Sequence, residues 1–396
     1  MEQPPAREAL APSYHGSGGS LFWLMFRTTI YNLLTLGFYR FWQRTKTRQH
    51  FWNGIRVAGS PLEYTGTGLE KFLGFLIAVV FLAVYLGLFQ IGFFFLGLKL
   101  TGGAEWVGVV SSLPVIPLVY YAQYRAQRYV LSRTQLRGIR FSMSQDAVRY
   151  VFVALWHLLL TVLSFGILYP RMQWYLEKFR TDRTSYGTMR MLLTGSWFSL
   201  LRPWLRVLAC VYLPAIVMGI LLYQDKKVGA GFMALGLIFL PFAWVYYRVA
   251  SFRILTEAKS VGGVSFTSGA RTGSVLAIYM LGYLLIGVIM TVIATIVGSV
   301  ATLVSDTPTK VVVGWETLTD LGQLLTFGLI MAVYLGIFLT WSAMHAVFIS
   351  QPLLSHFVTT LLIHDAQELD LVRQREQDDF LEAEGFADAL DVGGAF

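Results

Sequence analysis

The chain has 396 residues, of which 55% are hydrophobic and only 14% are charged, and its mean hydropathy is +0.58. A typical soluble domain contains about 25% charged residues, and a single soluble core could not bury so much apolar surface. The composition therefore excludes a soluble globular domain, a disordered chain and a collagen-like protein, and it indicates a protein that crosses a membrane several times. Cys210 is the single cysteine, so no internal disulfide can form.

The net charge of +8 is divided unevenly along the chain. Residues 365–396 contain ten acidic and two basic residues, a net charge of −8, so the rest of the chain carries +16. Most of this positive charge lies in loops next to apolar segments, where each Lys or Arg contributes about 1 kcal/mol of attraction to anionic lipid headgroups. We therefore expect the basic loops to be cytoplasmic and anionic membrane lipids, not nucleic acid, to be the partners.

Apolar segments follow one another along most of the chain. A helix needs ~20 mostly apolar residues to cross a bilayer, and eight segments approach this length: 21–42, 72–98, 104–124, 147–170, 202–223, 228–247, 274–304 and 321–349. The first contains Arg27 and breaks near Gly37, and the fourth contains His157 and breaks near Gly166. The other six are long and nearly uninterrupted, which is typical of transmembrane helices.

Basic residues on both sides of segment 147–170 conflict with a full crossing. The preceding stretch 125–149 contains six arginines and the following stretch 171–190 contains five basic residues, so both should be cytoplasmic. We therefore predict an all-α polytopic membrane protein in which 21–42 and 147–170 insert only partly, as re-entrant or interfacial segments. The other six segments then form three transmembrane hairpins, 72–124, 202–247 and 274–349. Eight full spans are the alternative.

The sequence also repeats itself. Tyr121–Phe141 aligns with Tyr246–Phe266 at an offset of 125, and Leu34–Phe38 aligns with Leu163–Ile167 at an offset of 129. A binding site often lies at the interface between such copies, although a duplicated scaffold without a site is equally consistent with the pattern. The predicted organisation is a flexible N-terminal segment 1–20, membrane repeats 21–146 and 147–270, a third transmembrane hairpin with its tail 271–364, and an acidic cytoplasmic tail 365–396.

Three motifs in the first repeat resemble those of a known family. They are Gly16–Phe22 (GSGGSLF), Leu34–Trp42 (LTLGFYRFW) and Pro61–Gly68 (PLEYTGTG). In this order they resemble the YjgN family, a domain of unknown function in bacterial inner membranes, over roughly residues 13–370. The second copy departs from the family at Tyr169–Arg171, where an aromatic-rich run is expected. The resemblance implies an inner-membrane location and a duplicated fold, and it implies no established activity.

Motifs for common chemistries are missing from the sequence. It contains no H-E-x-x-H, no G-x-x-x-x-G-K-[ST] and no G-x-S-x-G pattern. Cys210 lies in an apolar run, where formation of the reactive thiolate is unfavourable. We therefore predict that the protein is not an enzyme, has no catalytic residue and needs no metal or cofactor.

Polar residues at membrane depth are candidates for function because they are costly there. Within or near the ends of the apolar segments these are Gln90, Glu105, His157, Arg202, Arg206 and His345. For the two histidines an interhelical hydrogen bond is favoured over a proton relay, and Gln90 could join two helices. The long side chains near span ends are expected to extend to the interface.

Basic amphipathic stretches are the most distinctive surface that the sequence predicts. Arg40, Arg44 and Arg48 recur every four residues and so share one helical face, beside aromatic residues that suit the headgroup region. The predicted headgroup- or anion-binding residues are Arg40, Arg44, Lys46, Arg48, Arg125, Arg128, Arg248 and Arg253. Guanidinium groups from different repeats could converge on one phosphate, while ordinary seating in the membrane is the alternative.

Two functions fit these patterns. The first is an integral membrane protein that binds or transports an anionic, lipid-like substrate at the repeat interface. The second is a non-catalytic scaffold that recruits a protein partner through its acidic tail or its basic cytoplasmic face. A polar cavity between the repeats would favour the first function, and a solid bundle with an exposed patch would favour the second.

Overall fold

The structure, a computed structural model, describes residues 9–101, 113–223, 229–304 and 321–374. Its α-helices are α1 (Gly18–Leu34), α2 (Arg40–Gly54), α3 (Gly68–Thr101), α4 (Val115–Ser132), α5 (Ala147–Leu163), α6 (Tyr169–Thr181), α7 (Phe198–Tyr223), α8 (Gly229–Glu257), α9 (Thr272–Val304), α10 (Leu321–His345) and α11 (Gln351–Thr359). A π-helical turn, Ala346–Ser350, joins α10 to α11, and a 3-10 helix, Ala366–Leu371, follows the last strand.

Short strands alternate with these helices. They are β1 (Ala9–Leu10), β2 (Ser13–Tyr14), β3 (Ile55–Val57), β4 (Ser60–Tyr64), β5 (Thr134–Leu136), β6 (Ile139–Met143), β7 (Thr184–Tyr186), β8 (Met189–Leu193), β9 (Lys259–Val261), β10 (Val264–Ser268) and β11 (Leu361–His364). The prediction of an all-α protein is thus corrected. Each strand has only two to five residues, so none produces a recognisable period-two pattern in the sequence.

All these strands belong to one antiparallel sheet with the order β1-β11-β10-β9-β8-β7-β6-β5-β4-β3-β2. The two strands at the ends of this order, β1 and β2, are separated along the chain by Ala11 and Pro12 alone. Three Cα–Cα steps reach at most about 11 Å, so the two edges of the sheet lie next to each other. The N-terminal segment therefore gives the sheet the connectivity of a closed barrel, in which β1 and β2 are neighbours that no hydrogen bond in the described pairing joins.

Four β-hairpins with two-residue turns build most of this closed sheet. The first turn residue has a positive φ in each hairpin: Ala58 at 49°, Arg137 at 52°, Gly187 at 52° and Gly262 at 59°. Turns of this kind match the right-handed twist of the paired strands. The residue before each turn is buried, and the sheet encloses an apolar core of Val57, Leu136, Tyr186, Val264, Ile363 and Val372.

Five helical segments leave the sheet and return to it. They are α1–α2 between β2 and β3, α3–α4 between β4 and β5, α5–α6 between β6 and β7, α7–α8 between β8 and β9, and α9–α11 between β10 and β11. Because both ends of every segment join the same sheet, each segment contains an outgoing and a returning path. The structure therefore combines one sheet with a series of helical hairpins.

The residues form two compact units. The first consists of Met1–His15, Arg48–Thr272 and Phe357–Phe396, and it contains the whole sheet. The second consists of Gly16–Thr47 and Gly273–His356. Within the second unit α1 packs on α10, where the hydroxyl groups of Thr29 and Ser342 lie 2.9 Å apart, and Ile286, Met344 and Ile349 form its buried apolar cluster.

Five described helical stretches are long and apolar enough to cross a membrane: Gly68–Lys99, Phe198–Leu221, Gly236–Glu257, Thr272–Ile296 and Tyr334–Thr359. They correspond to five of the six predicted spans. The sixth, 104–124, lies partly outside the described residues, and its described part begins α4. Large apolar side chains along these helices are exposed, as on α9, where Leu281 and Leu284 are about 60% exposed. Such a surface suits contact with lipid rather than water.

The two segments predicted to insert only partly each form two helices joined by a tight turn. α1 and α5 have 17 residues each, about 26 Å, which is shorter than the ~30 Å hydrocarbon core. Leu36 and Phe165 adopt left-handed backbone conformations with φ of 52° and 53°. The amides of Gly37 and Gly166 then donate to the carbonyl five residues earlier, at 2.7 and 2.8 Å. The same turn thus occurs at both places that the shorter sequence repeat aligns.

The first residues of the acidic tail lie against the hairpin turns. The carboxylate of Glu368 accepts a hydrogen bond from the Gly263 amide at 2.7 Å, and Asp370 pairs with Arg137. The amide of Thr188 donates to the carbonyl of Arg373 at 3.0 Å. Residues 365–374 therefore form part of the folded unit, while the rest of the predicted tail, 375–396, lies outside the described residues.

Replacing Gly187 with Ala is expected to loosen this tail contact. A Cβ at Gly187 would collide with the carbonyl oxygen of Arg373, whereas a Cβ at Gly138 would meet nothing within 4 Å. Both glycines have a positive φ, so either alanine adds about 1–2 kcal/mol of backbone strain, but only Gly187→Ala must displace the tail. Limited trypsin digestion should cleave after Arg373 several-fold faster in Gly187→Ala than in Gly138→Ala, and equal rates would contradict the docked position.

Candidate anion-binding cavity

A cavity of about 630 Å³ lies between α4 and the beginning of α5. Its position is the boundary between the predicted repeats 21–146 and 147–270. The lining residues are Tyr121, Tyr124, Arg125, Arg128, Gln145, Asp146, Ala147, Val148, Arg149 and Phe152. Two of the predicted headgroup-binding residues, Arg125 and Arg128, are therefore brought together here.

Buried aromatic packing holds α4 against α5. The ring centroids of Tyr124 and Tyr150 lie 5.2 Å apart, and both side chains are buried together with Ala154. The hydroxyl of Tyr124 also donates to the carbonyl of Ser144 at 2.7 Å, which fixes the short connection that precedes α5. These contacts set the distance between the arginines of α4 and the first turn of α5.

Two of the three lining arginines, Arg128 and Arg149, keep much of their hydrogen-bonding capacity toward the cavity. Arg128 uses its Nε to donate to the carbonyl of Met143 at 3.1 Å, and Arg125 donates to the hydroxyl of Tyr121 at 3.4 Å. Arg149 is exposed and forms no ion pair within the ranges that the structure describes. Since a guanidinium group has five N–H donors in a planar fork, most donors of Arg128 and Arg149 remain for a ligand.

The single carboxylate among the described lining residues is already neutralised. Asp146 accepts a hydrogen bond from Nε of Arg183 at 2.5 Å and another from the hydroxyl of Ser144 at 3.2 Å. The hydrogen bond from Arg183 holds the pKa of Asp146 below its ordinary value. The described lining thus has three positive side chains and one negative side chain, Asp146. Asp146 is paired with Arg183, which does not line the cavity.

The first turn of α5 adds backbone donors to this positive surface. Ala147, Val148 and Arg149 line the cavity at the helix N-terminus, and the N-cap Asp146 makes no side-chain capping bond. The first amides of a helix have no partner within the helix and carry the positive end of its dipole. Together with the guanidinium groups they can bind a phosphate or carboxylate.

Part of the cavity lining is apolar, and this apolar surface continues along α5. Val148 and Phe152 line the cavity and are 62% and 69% exposed. Further along the same helix face lie the exposed side chains of Trp156, Leu159 and Leu163. The spacing of three or four residues places all five on one face, which we call the apolar stripe. A cationic cavity at one end of an apolar stripe is suited to an anionic amphiphile.

The other predicted headgroup-binding residues lie elsewhere. Arg40, Arg44 and Lys46 belong to the second unit, where the ammonium of Lys46 donates to the Tyr39 hydroxyl at 2.8 Å. Arg48 belongs to the first unit and is buried beside the rings of Tyr64 and Trp52, at 5.3 and 5.7 Å. Arg248 and Arg253 are exposed on α8 and do not line the cavity. The predicted set is thus distributed over several places.

Arg149 was not among the residues that the sequence predicted for the site. It belongs to the basic stretch 125–149 and to the beginning of the predicted segment 147–170, and its charge was used to predict membrane orientation and not ligand binding. Asp146, at the position where helices favour Ser, Thr, Asp or Asn, was the available signal, since it would have placed Arg149 in the first helical turn.

The two histidines lie within helices, and neither of them lines the cavity. The ring of His157 is buried and stacks on that of Tyr175, with centroids 4.6 Å apart. His345 directly precedes the π-helical turn and Ser350 is its last residue. Nδ1 of His345 lies 3.4 Å from the hydroxyl of Ser350. Both contacts are consistent with structural roles.

The remaining polar candidates within the described residues share no common site. Gln90 is exposed on α3, and Arg202 is exposed near the beginning of α7. The guanidinium of Arg206 lies 4.5 Å above the ring of Tyr246. Glu105 lies outside the described residues. In the part of the chain that the structure describes, no group of three or more His, Cys, Asp or Glu side chains could hold a metal ion.

A partly buried ion cluster that the sequence did not predict joins α6 to β9. The carboxylate of Glu177 lies 2.5 Å from Nζ of Lys259 and 2.6 Å from a terminal nitrogen of Arg180. Burial alone would raise the pKa of Glu177, but the adjacent Lys259 ammonium and Arg180 guanidinium lower it to about 2. The acidic group already has two basic partners, so we assign this cluster to stability.

The helical hairpins, the closed sheet and the arginine-lined cavity define a multi-pass helical membrane protein with a candidate site for an anionic ligand. A family model described as "Bacterial protein of unknown function (DUF898)" matches residues 9–389, and the chain belongs to this family. The inner membrane protein YjgN of Escherichia coli O157:H7 is 26% identical over 133 residues, which are 33% of this chain and 30% of that protein.

The inner membrane protein YjgN of Escherichia coli strain K12 is 23% identical over 158 residues, which are 39% of this chain and 36% of that protein. The matched region thus spans about a third of the length of each relative. The resemblance to the YjgN family that the three sequence motifs predict is confirmed, whereas no solved structure matches the chain.

Proposed function

We propose that this protein is a multi-pass protein of the bacterial inner membrane that binds an anionic amphiphile in the cavity between α4 and α5. The observation that carries the proposal is the combination of three arginines with an apolar stripe that begins in the same cavity. Charge-assisted hydrogen bonds from guanidinium groups to phosphate are among the strongest in proteins. The position of the cavity at the boundary of the predicted repeats agrees with a site formed by duplication.

The proposal includes a membrane topology with two partial insertions. Since α1–α2 and α5–α6 each leave the closed sheet and return to it, a re-entrant path accounts for both. Backbone polar groups inside a bilayer must be satisfied by protein or water, and two carbonyls of the α5–α6 turn meet this condition. The indole of Trp204 donates to the carbonyl of Gly166 at 3.0 Å, and the hydroxyl of Tyr212 donates to the carbonyl of Phe165. All basic hairpins would then be cytoplasmic.

The recurrence of the same turn at Gly37 and Gly166 supports the proposed duplication. In addition, the interval from the start of α1 to the start of α3 nearly equals the interval from the start of α5 to the start of α7. A short helical hairpin followed by a long one therefore occurs twice, each time with a β-hairpin after each helical pair. The third long hairpin, α9–α11, follows the second copy without its short partner.

The scaffold alternative receives less support from the tail. Its described residues, 365–374, are occupied by contacts with the hairpin turns of their own chain. A segment held in this way does not offer its acidic side chains to a protein partner. We therefore favour ligand binding at the cavity over recruitment of a partner through this segment.

The double variant Arg125→Gln/Arg128→Gln tests the proposal. Each lost guanidinium–phosphate bond is worth about 1.5–3 kcal/mol, so binding of an anionic phospholipid should weaken at least about tenfold. The matched control is Arg248→Gln/Arg253→Gln, which removes the same charge from exposed positions outside the cavity. Binding of dioctanoyl phosphatidylglycerol to the purified full chain, measured by calorimetry, should fall in the first variant alone. Equal losses of binding in both variants would mean that general surface charge, and not the cavity, attracts the lipid.

Transport would require that the bound amphiphile also crosses to the other leaflet. The same pair of double variants, reconstituted in vesicles, can be compared in a lipid-exchange assay. A loss of exchange in Arg125→Gln/Arg128→Gln with normal exchange in the control would extend the proposal from binding to transport.

A further inference from the structure

We propose that the cavity selects a phospholipid whose headgroup is a terminal phosphate monoester, with one acyl chain lying along the apolar stripe of α5. This inference rests on the proposed function and narrows it from anionic amphiphiles in general to one chemical class. It follows from the number and position of the donors, from the state of the one lining carboxylate and from the direction of the stripe.

The donors of the cavity match a phosphate monoester better than a diester. Arg125 and Arg128 from α4 and Arg149 from α5 provide three positive groups, and the first amides of α5 add backbone donors. A monoester offers three terminal oxygens and a charge of about −1.5 to −2 at pH 7. A diester offers two such oxygens and one charge. The monoester can therefore bond Arg128, Arg149 and the first amides of α5 at once, whereas a diester offers one oxygen fewer to the same donors.

The state of Asp146 disfavours zwitterionic headgroups. An ammonium group on the headgroup would need an anionic partner in the cavity, and Asp146 already binds Arg183 and Ser144. The ammonium would instead lie near three guanidinium groups, which repel it. Amine-containing phospholipids are thus expected to bind weakly.

The apolar stripe gives the ligand its orientation. From Val148 to Leu163 it extends over about four helical turns, or about 22 Å. One leaflet of the hydrocarbon core is about 15 Å thick, half of the ~30 Å total. A phosphate at the N-terminus of α5 therefore places an acyl chain alongside Val148, Phe152 and Trp156. Burial of apolar area against this face favours a lipid over free phosphate.

The proposed selectivity predicts a specific pH dependence. The charged and titratable side chains that face the cavity are Arg125, Arg128, Arg149, Asp146, Tyr121 and Tyr124, with Arg183 behind Asp146. The arginine side chains stay protonated in proteins, and Arg183 keeps the pKa of Asp146 below its ordinary acidic range. The protein side of the cavity therefore keeps one charge state from about pH 5 to 8. A monoester has its second pKa near 6, so its binding should strengthen as the pH rises through this value.

Calorimetric titration of the purified full chain in detergent tests this inference. The probes are dioctanoyl phosphatidic acid (a monoester), dioctanoyl phosphatidylglycerol (a diester) and inorganic phosphate, each at pH 5 and pH 8. The monoester lipid is expected to bind at least about tenfold more tightly than the diester lipid at pH 8, because it forms at least one more charge-assisted hydrogen bond. This advantage should shrink several-fold at pH 5, and inorganic phosphate should bind more weakly than the monoester lipid.

The outcomes separate this inference from the proposed function. If both lipids bind equally at both pH values, the monoester selectivity is wrong and the anionic-amphiphile site remains. If neither lipid binds, both proposals are wrong. If inorganic phosphate binds as tightly as the monoester lipid, the cavity is a site for free phosphate and the role of the stripe is overturned.

Two variants assign the selectivity to its residues. Arg149→Gln should remove most of the preference for the monoester, whereas Arg190→Gln, at an exposed strand position outside the cavity, should keep it. Phe152→Ser should weaken binding of the monoester lipid and leave inorganic phosphate unchanged. Arg149→Lys keeps the charge and loses the planar fork, so partial retention of the preference would distinguish a binding role of Arg149 from a loss of folding.

Discussion

Glu177→Gln is expected to lower the free energy of unfolding of the protein by about 2–3 kcal/mol at pH 7. Removing one partner of a fully buried ion pair costs more, about 3–5 kcal/mol. The substitution keeps the shape of the side chain but leaves Lys259 and Arg180 close together without their shared carboxylate. The side chains here are 17–28% exposed, so water screens part of the loss. Thermal unfolding of the purified protein in detergent measures the effect.

The same carboxylate predicts the direction of an acid transition. Its pKa is about 2 in the folded protein, below the ordinary value near 4.3 of an unfolded chain. A lowered pKa stabilises the fold above the unfolded value, and this contribution is lost as the pH falls from about 4.3 toward 2. The wild-type protein should therefore lose stability over this range more steeply than Glu177→Gln, which has no carboxylate to protonate at this position.

Asp370→Asn is the control for this prediction. It removes the ion pair between Asp370 and Arg137. The Asp370 side chain is 66% exposed, and such an exposed ion pair contributes about 0–1 kcal/mol to stability. Lys259→Met adds a second check, because its effect should differ between the wild type and Glu177→Gln if the two groups interact. Additive effects, or a loss in Glu177→Gln no larger than in Asp370→Asn, would contradict the assignment of this cluster to stability.

Cysteines introduced at Arg56 and at Arg190 are expected to react with a membrane-impermeant thiol reagent from the same side, the cytoplasm. Arg56 lies on β3 and Arg190 on β8, and both side chains are exposed. Because β3 and β8 belong to one sheet, they lie on the same side of the membrane. The chain between them must therefore cross the membrane outward as often as it crosses back. The effect is close to all-or-none, since a bilayer separates the two possible positions. Labelling of inverted vesicles and of intact cells measures it in a Cys210→Ala background.

The alternative topology predicts a different result for one of the two positions. With eight full spans, segment 147–170 would cross the membrane and place Arg190 outside, while Arg56 would stay inside. Lys99→Cys, at the end of the first long span, provides the control that should be labelled from outside. If Arg190→Cys reacts in intact cells as Lys99→Cys does, the eight-span arrangement holds and the partial insertion of α5–α6 is excluded.

The two arginines Arg128 and Arg253 show how far the repeat could predict the site. The sequence aligns them and treats them as equivalent. In the structure Arg128 lines the cavity, because α5 begins nearby with Arg149 in its first turn, while Arg253 does not line it. The residue type was predictable from local sequence. Which of the two arginines lines a cavity was not predictable, because the cavity depends on which helix follows and on how Tyr124 and Tyr150 pack.

Local sequence was sufficient to predict the membrane environment and the paths of the helices. Apolar length and flanking charge act over consecutive residues, so five of the six predicted spans and the paired breaks near Gly37 and Gly166 could be located in advance. The closed sheet and the cavity are visible only in the folded chain. Strands of two to five residues have no stability until distant hairpins pair, and the cavity requires side chains whose positions depend on that pairing. Non-local contacts of this kind have no counterpart in the pattern of neighbouring residues.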